Sequence, residues 1–410
     1  MTTQVDKSRT IAGTILVLLF LLQVGIQLKG ALSWGHDSWP LTDWLINYSG
    51  GFVRRGLAGE VIQWFSSTTG IQANLVVIAI TLVCFIGLTA WLIKKSSGRI
   101  SALFIISCMV MGMPAYQDSI LRKDCFCLLM FLACLTVDSS HLPLVPRKVA
   151  VNLLGIIAVL IHETFLFYAL PALVVFEFGS GNAGRFRELM VRGLWLMPIL
   201  AAFLTAAVFH GNPETAQTVN DSWMPLWSSL NPGDPSNGVP DAAILALGWS
   251  SEEGLSPGIN LLTSGFYQPT AWAALFGITF FLALAFTGKG EGLVSEGDTE
   301  ARLGFTSILV TQLFFISPLF LLGHDYGRWL FFWVVSSLVI HLRNGAAPTV
   351  ARRFSESLFG VLRLGAVFKR VPARNWYLLI IGIPVVWNID SFILASPIGR
   401  HLMMLWSWFK

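Results

Sequence analysis

Charged residues are scarce in this sequence. Asp, Glu, Lys and Arg make up only 12% of its 410 residues, whereas 54% are hydrophobic, and soluble domains carry about 25% charged residues. A charge in lipid costs several kcal/mol unless it is sheltered, so this composition is typical of a chain whose main solvent is the membrane. We therefore predict an all-α, polytopic transmembrane helical bundle and exclude a soluble domain.

Nucleotide-binding motifs and a cysteine framework are also lacking. The sequence has no Walker A segment and no GxGxxG segment after a strand. Its five cysteines lie in or beside apolar runs, and Cys125 and Cys127 lack the spacing of a zinc or redox pair. The cofactor stays unknown at this point, because no nucleotide motif is present and nothing in the sequence supports a divalent cation.

Apolar runs of about the length needed to cross a membrane recur along the chain. The pairs around Pro114 and around His162 are short and also fit broken or re-entrant helices. The first run has a basic flank but no cleavage site of small residues, so we interpret it as a retained helix. The eleven candidate spans lie near 11–29, 71–93, 100–115, 125–138, 148–162, 164–178, 189–209, 270–287, 303–322, 329–343 and 376–393.

The distribution of Lys and Arg predicts the orientation. With the N-terminus in the cytoplasm, nineteen of the 27 basic residues fall on the cytoplasmic side, as the positive-inside rule requires. The long connection 210–269 contains no Lys or Arg, as a translocated loop should. We therefore predict a multi-pass protein of a bacterial inner (cytoplasmic) membrane, with a cytoplasmic N-terminus and, after eleven spans, a periplasmic C-terminus.

Residues 1–410 are interpreted as a single transmembrane domain with three additional segments. Residues 30–70 form an outer loop whose tryptophans among apolar residues predict interfacial helices. Residues 210–269 also contain several tryptophans, so we expect an ordered periplasmic cap over the bundle. The basic segment 344–374 is predicted to lie in the cytoplasm on anionic lipid.

Four clusters of polar residues fall on the predicted outer side, and the first lies in residues 30–70. Asp37 and Asp43 precede a Gly-Gly turn that is followed by Arg54 and Arg55. Arginine forks bind phosphate through two hydrogen bonds, so this cluster is a candidate anion site. The alternative is an interfacial helix whose arginines contact lipid headgroups, although such arginines would break the positive-inside rule.

The second cluster contains Asp118, Arg122 and Lys123 between the third and fourth predicted spans. On a helix, Asp118 and Arg122 would be four residues apart and could pair with each other. The sequence leaves two interpretations open: a substrate-binding site or a local ion pair at a helix end.

The third cluster is His162-Glu163, between two apolar runs with almost no loop. Ionisable residues at this depth are costly and therefore functional by default. The alternative is a polar pair that satisfies the end of a kinked helix. The residue at position 166 is leucine, so the HExxH zinc motif is not present.

The fourth cluster, at the outer end of the ninth predicted span, contains His324, Asp325 and Arg328 between flanking glycines. Asp325 and Arg328 are three residues apart and share a helical face. The alternative is a simple ion pair beside an aromatic-belt tryptophan, Trp329.

All four clusters share one predicted face and depth, so we expect one site. Arginine stays charged at any working pH and suits a fixed anion clamp, which predicts that Arg54, Arg55 and Arg328 hold a phosphate or diphosphate. Histidine titrates near neutrality, and burial raises a carboxylate towards that range. His162 and Asp325 are therefore the first candidates for proton transfer.

Some of these residues also resemble a known family. Asp37 and Asp43 in the first outer loop, Leu121-Arg122-Lys123-Asp124 before an apolar helix, and Ile161-His162-Glu163-Thr164 before the next are similar to the polytopic GT-C glycosyltransferases. The closer resemblance is to the Wzy- and EpsG-like polysaccharide polymerases, and it covers about residues 30–180. The clusters at 49–56 and 323–328 have no counterpart in that pattern. The resemblance implies Asp43 as a third candidate for proton transfer.

The resulting prediction is a membrane glycosyltransferase or polymerase that uses a lipid-linked diphosphate sugar at the periplasmic face, in surface-polysaccharide assembly. The expected partners are membrane lipid, a lipid-linked saccharide and other polysaccharide-assembly proteins, with no nucleic acid. The alternative is a transporter or flippase of a lipid-linked or anionic solute. A transporter would place charges near the bilayer midplane, whereas the charges here lie at the outer ends of the spans.

Overall fold

The fold is helical, and a computed structural model describes most of the chain. The described residues are 2–32, 38–97, 99–117, 120–176, 186–226, 242–250, 252–253, 256, 259–260, 263, 269–286, 296–323, 325–344, 374–383 and 394–408, and no β-strand occurs among them. The helices, numbered in chain order, are α1 (Thr2–Leu32), α2 (Trp39–Trp44), α3 (Gly56–Thr69), α4 (Ala73–Ser96), α5 (Ala102–Ile105), α6 (Gly112–Tyr116), α7 (Asp124–Asp138), α8 (Leu144–Ile161), α9 (Phe165–Val175), α10 (Phe186–Trp195), α11 (Met197–Val208), α12 (Pro213–Asp221), α13 (Ala242–Leu245), α14 (Pro269–Ala285), α15 (Glu296–Leu322), α16 (Tyr326–Asn344), α17 (Tyr377–Ile380) and α18 (Pro397–Trp408).

Several of these helices are long and apolar enough to cross a membrane. Within the described part of the chain there are four, located at Thr10–Leu32 in α1, Ala73–Ser96, Leu144–Ile161 and Gly304–Leu322 in α15. Helices α10 and α11 bend by 55° at a short break and give a fifth if they count as one span. These helices establish a helical membrane protein, with fewer spans of full length than the eleven predicted.

The predicted span near 100–115 is wrong as a single helix. The chain forms the short helices α5 and α6 there, joined by a tight turn in which the Met111 amide donates to the Ile105 carbonyl at 2.8 Å. Gly112 permits this turn, because a Cβ at that position would lie 2.6 Å from the carbonyl oxygens of Ile106 and Ser107. Hydropathy alone cannot detect such a reversal, since the segment is mostly apolar on both sides of the turn.

Helix α7 lies inside the bundle and packs against α8, α4 and α16. Its inward side chains, such as Phe131, are fully buried, and Phe131 meets the ring of Tyr168 from α9 at 5.7 Å. The outer faces of the spans instead expose large apolar side chains, such as Leu18 and Val83. That distribution suits a bundle whose exterior is lipid, because exposed apolar surface costs nothing there.

The bundle has two ends with different chemistry. Helix α7 runs from Asp124 to Asp138 and α8 runs back, so Asp124 and the end of α8 share one end, here called the site end. At the opposite end, Lys148 of α8 bonds Asp138 at 2.6 Å. That end, here called the basic end, also carries Lys94, Lys95, Arg147 and Arg343.

Parts of the two predicted outer loops pack together at the site end. Trp223 is fully buried and its indole N–H donates to the Leu45 carbonyl at 2.8 Å. Asn47 donates to the Ser222 hydroxyl at 2.8 Å, which ties the segment after α2 to the end of α12. Trp64 in α3 is exposed, as expected of an interfacial residue, but Trp44 in α2 is buried. Residues 345–373 of the predicted basic segment lie outside the described residues.

Candidate functional site

Arg55 joins carboxylates from two distant parts of the chain. Its Nη1 lies 3.0 Å from Asp43 Oδ1, and its Nε lies 2.8 Å from Glu163 Oε2. Nη2 also donates to Glu163, so the contact with Glu163 is the two-pronged fork that arginine forms with carboxylates. Arg55 thereby fixes the turn between α8 and α9 against α2 and α3.

The backbone of Arg55 has an unusual conformation. With φ of 65°, it is the one residue other than glycine with a positive φ in the described part of the chain. A left-handed conformation is costly for a residue with a Cβ and is retained where surrounding contacts or function require it. Here the bonds to Asp43 and Glu163 hold it in place.

Lys123 neutralises Asp43 from the other side. It is fully buried, and its ammonium nitrogen lies 2.7 Å from the Asp43 carbonyl oxygen and 3.4 Å from its carboxylate. It also lies 5.7 Å from the centre of the Trp44 ring. Burial alone would raise the pKa of Asp43, but Lys123 and Arg55 outweigh burial and hold that pKa well below its usual range. Asp43 therefore stays ionised.

His162 is buried beside this group. It ends helix α8, and its Nδ1 lies 2.9 Å from the Thr164 hydroxyl and 3.9 Å from Glu163. Burial, assisted by the charge of Arg55, lowers the pKa of His162 to about 3. The imidazole is therefore neutral at ordinary pH. Arg55, Asp43, Lys123, His162 and Glu163 are here called the Arg55 cluster.

A second group forms around Arg328 in the first turn of α16. Its Nε and Nη2 hold both oxygens of Asp124, at 2.9 and 2.6 Å, and its Nη1 holds Asp325 at 2.7 Å. Arg122 approaches the same Asp325 carboxylate at 3.7 Å. Asp325 is the most open member, with a side chain 35% exposed. Arg122, Asp124, Asp325 and Arg328 are here called the Arg328 cluster.

Lys123 belongs to the Arg55 cluster, whereas its neighbours Arg122 and Asp124 belong to the Arg328 cluster. Because these three residues are consecutive, the two clusters form one charged network. Residues from all four polar segments of the sequence therefore meet at the site end. The predicted pair of Asp325 and Arg328 is present, and among the described residues Arg122 also approaches Asp325. Three residues considered in the sequence, Asp37, Asp118 and His324, lie outside the described residues.

Among the described residues, the network has one more positive than negative charge. Arg54, which precedes Arg55, brings its cationic side chains to five against four carboxylates, with His162 neutral. The Arg54 side chain makes no hydrogen bond or ion pair to any described residue, and its buried Nε has no partner there. Its amide donates to the Phe209 carbonyl at 2.9 Å, which holds the backbone in place.

Burial and the adjacent Arg55 lower the pKa of Arg54, against the weaker opposing effect of Glu163 and Asp43. An arginine nevertheless remains protonated at any working pH. Arg54 is thus a cation close to the network whose hydrogen-bonding groups are still available for an anion. The described residues contain no group of three or more His, Cys, Asp or Glu that could hold a metal ion.

Comparison with known proteins supplies a family. Residues 11–223, more than half of the chain, match the family described as "Uncharacterised membrane protein Rv1490". The chain belongs to this family. No curated protein and no solved structure matches the chain. The region matched to the Rv1490 family contains the whole Arg55 cluster, whereas Asp325 and Arg328 lie beyond it.

Asp124 is the residue that sequence reasoning missed. It is 2% exposed and provides both oxygens to Arg328, yet in the sequence it was named only as part of Leu121-Arg122-Lys123-Asp124, with no role of its own. Its position at the start of an apolar helix, directly after Arg122 and Lys123, was the available signal, because a carboxylate there is stabilised by the helix dipole.

Proposed function

We propose that this member of the Rv1490 family is a membrane glycosyltransferase or polymerase that takes its sugar from a lipid-linked diphosphate donor at the periplasmic face. The observation that carries the proposal is the charged network with its unbalanced Arg54. A diphosphate supplies the missing negative charge and acceptor oxygens. A lipid carrier would bring it to the site end from the surrounding membrane.

The contacts divide the predicted anion-binding residues into two groups. Arg55, Arg328 and Lys123 are already bonded to carboxylates, so we assign them the role of positioning residues that hold the site together. Arg54 has no such partner among the described residues and is assigned to the donor phosphate. Arg122 adds a second positive charge, because its contact with Asp325 is long and its buried Nε has no described partner.

The proton chemistry is assigned to Asp325, with His162 as the second candidate. A base must reach the acceptor hydroxyl within hydrogen-bond distance, and Asp325 is the most exposed carboxylate of the network. His162 is neutral and can accept a proton, but it is 3% exposed. Asp43 is bonded to Lys123 and Arg55, so it acts as a counter-ion in this scheme.

The periplasmic location rests on charge asymmetry. The basic end carries its lysines and arginines without an equal number of acids, as cytoplasmic ends do. The opposite end, which holds the network, would then face the periplasm. A lipid-linked donor rather than a nucleotide sugar suits that side.

Transport of an anionic solute remains the second candidate function, and one observation favours it. The chain breaks between α8 and α9 at His162–Thr164, beside Arg55, and interrupted helices line the substrate sites of many transporters. An enzyme releases a new glycosidic product, whereas a transporter moves the solute unchanged. Transfer of labelled sugar in detergent, where no two compartments exist, separates the two functions.

The test compares Arg54→Gln with Arg99→Gln, a change at an exposed arginine outside the network. Membranes with each variant are supplied with polyprenyl-diphosphate-linked sugar, and labelled product is measured. We expect Arg54→Gln to reduce product by about a hundredfold, since removing one charged hydrogen bond to a transition-state anion costs roughly 2.7–4 kcal/mol. Its unfolding free energy should change by less than about 0.5 kcal/mol, because Arg54 contacts no described carboxylate.

Arg99→Gln should retain full activity. The proposal is wrong if Arg54→Gln is as active as Arg99→Gln, or if wild-type membranes transfer no sugar while the purified protein moves an anionic solute across vesicles.

A further inference from the structure

A concave surface lies away from the charged network. It is a groove of about 470 Å³ between α8 and the bent pair α10–α11, within the range of roughly 300–1,000 Å³ for small-molecule sites. Its wall is mostly apolar. The lining side chains include Val149, Asn152, Leu153, Val191, Leu194 and Trp195.

The groove opens on the outside of the bundle. Leu153 is 57% exposed and Leu194 is 64% exposed, and both belong to helices that are span candidates, α8 and the α10–α11 pair. In the membrane the medium against these side chains is lipid acyl chain. A lipid acyl chain can therefore enter the groove directly from the bilayer, because neither the chain nor the groove has to leave water.

Asn152 adds a polar group to this apolar wall. Its amide nitrogen donates to the carbonyls of Lys148 and Trp195, at 2.9 and 2.8 Å. These two acceptors fix the orientation of the amide, so the remaining atom is the acceptor Oδ1. That oxygen is buried and has no hydrogen-bond partner among the described residues, and the side chain is 91% buried, with 9% exposed. A ligand here would have to donate a hydrogen bond.

Positive charge marks one end of the groove. Arg187 precedes Val191 and Leu194 by four and seven residues on α10, so it shares their helical face. It is exposed and lies towards the basic end of the bundle, where Lys148 of α8 also lies. The charged headgroup of an amphipathic anion would contact the Arg187 guanidinium at this level, while the apolar tail of the same molecule lay in the groove.

We propose that this groove binds one anionic membrane phospholipid with a hydroxyl-bearing headgroup. One acyl chain lies along Val149, Leu153 and Leu194, the phosphate contacts Arg187, and a hydroxyl group of the lipid donates to Asn152 Oδ1. Basic residues beside a groove between membrane helices are the usual chemistry of such sites. The site is on the opposite end of the bundle from the charged network, and it does not depend on the proposed glycosyl transfer.

The test measures lipid bound to the purified full-length protein in nanodiscs by native mass spectrometry. The probes are phosphatidylglycerol, phosphatidylethanolamine and phosphatidylcholine. We expect retention of one phosphatidylglycerol, less phosphatidylethanolamine, which donates but has no net charge, and no phosphatidylcholine, which lacks both properties. Equal retention of all three lipids would overturn the proposal.

Matched variants locate the lipid. Leu153→Trp fills the groove and should abolish retention, whereas Val83→Trp, at a 70% exposed site on α4, should not. Arg187→Gln should weaken phosphatidylglycerol binding about fivefold, which corresponds to about 1 kcal/mol for one basic residue. Lys95→Gln, an exposed cation at the same end, is its control. Retention that is the same in Leu153→Trp and Val83→Trp contradicts this location.

Discussion

Helix α7 has an acidic residue at each end, and the two are neutralised in different ways. Asp138 faces one lysine, Lys148, from the next helix, only 10 residues away. Asp124 is held by Arg328, which is 204 residues away and also binds Asp325. The first arrangement is a closed local pair, and the second belongs to a network that joins four segments.

The helix dipole explains part of the difference. Asp124 lies at the N-terminus of α7, where a carboxylate is stabilised, whereas Asp138 lies at the C-terminus, where the dipole is unfavourable. The need to neutralise Asp138 is therefore a sufficient structural reason for Lys148 at the basic end. At the site end the dipole already favours Asp124, so the dipole gives no reason for the additional cations. This contrast shows that one buried ion pair can have a local structural explanation, whereas the dipole of α7 does not explain the network at the site end.

The largest expected effect comes from a substitution that breaks the network at its centre. Arg55→Gln leaves the carboxylates of Asp43 and Glu163 without their shared partner, and loss of one member of a buried ion pair costs about 3–5 kcal/mol. We expect loss of the monodisperse peak in size-exclusion chromatography and a large drop in melting temperature. Arg54→Gln is the control one residue away. Equal stability of the two variants would mean that the Arg55 contacts are dispensable.

The second prediction concerns the local pair at the basic end. Lys148→Met strands Asp138 and should cost roughly 1–3 kcal/mol of unfolding free energy. The double change Asp138→Leu with Lys148→Met should regain most of it, since apolar replacement of a closed pair is often neutral.

The matching double change at the site end, Asp124→Leu with Arg328→Met, should not recover stability, because Asp325 loses its bond to Arg328 and Arg122 loses the nearby charge of Asp124. Melting temperatures in detergent compare the two pairs. Recovery at both ends would remove the distinction between them.

The smallest effect is the contribution of His162, at the site end, to the pH dependence of stability. His162 has a folded-state pKa of about 3, below its ordinary value of 6.5, so the unfolded chain binds more protons between these values. Its contribution to stability is full above pH 6.5 and is lost as the pH falls towards 3. We expect a loss of up to about 2 kcal/mol between pH 7 and pH 5.

His162→Gln should flatten that part of the profile of melting temperature against pH. His210, which lies outside the network, gives the control His210→Gln. An unchanged slope in His162→Gln would place the proton uptake elsewhere.

Sequence reasoning predicted the helical membrane class better than it predicted the spans. Composition and hydropathy respond to the solvent, so they identify a membrane protein directly. The reversal at Gly112 depends on close contact between backbone atoms, which hydropathy does not measure. The lengths of individual spans were therefore the weakest prediction.

The partners within the network were also beyond the sequence. Arg54 and Arg55 are adjacent and chemically identical, yet one binds two carboxylates and the other binds none that is described. The left-handed backbone of Arg55 and the tertiary position of Glu163 decide this, and neither is a property of local sequence. Closeness in the chain offered Asp118 as a partner of Arg122, and that pair stays a prediction because Asp118 lies outside the described residues. Local sequence gave no sign of the contact with Asp325, which comes from the second half of the chain.

The separation of Asp124 and Arg328 also bears on how the protein is made. At about 5–20 residues per second of synthesis, Arg328 leaves the ribosome about 10–40 s after Asp124. Throughout that interval Asp124 is present without the cation that holds both of its oxygens in the finished structure. Arrival of α16 is therefore the step that completes the network at the site end.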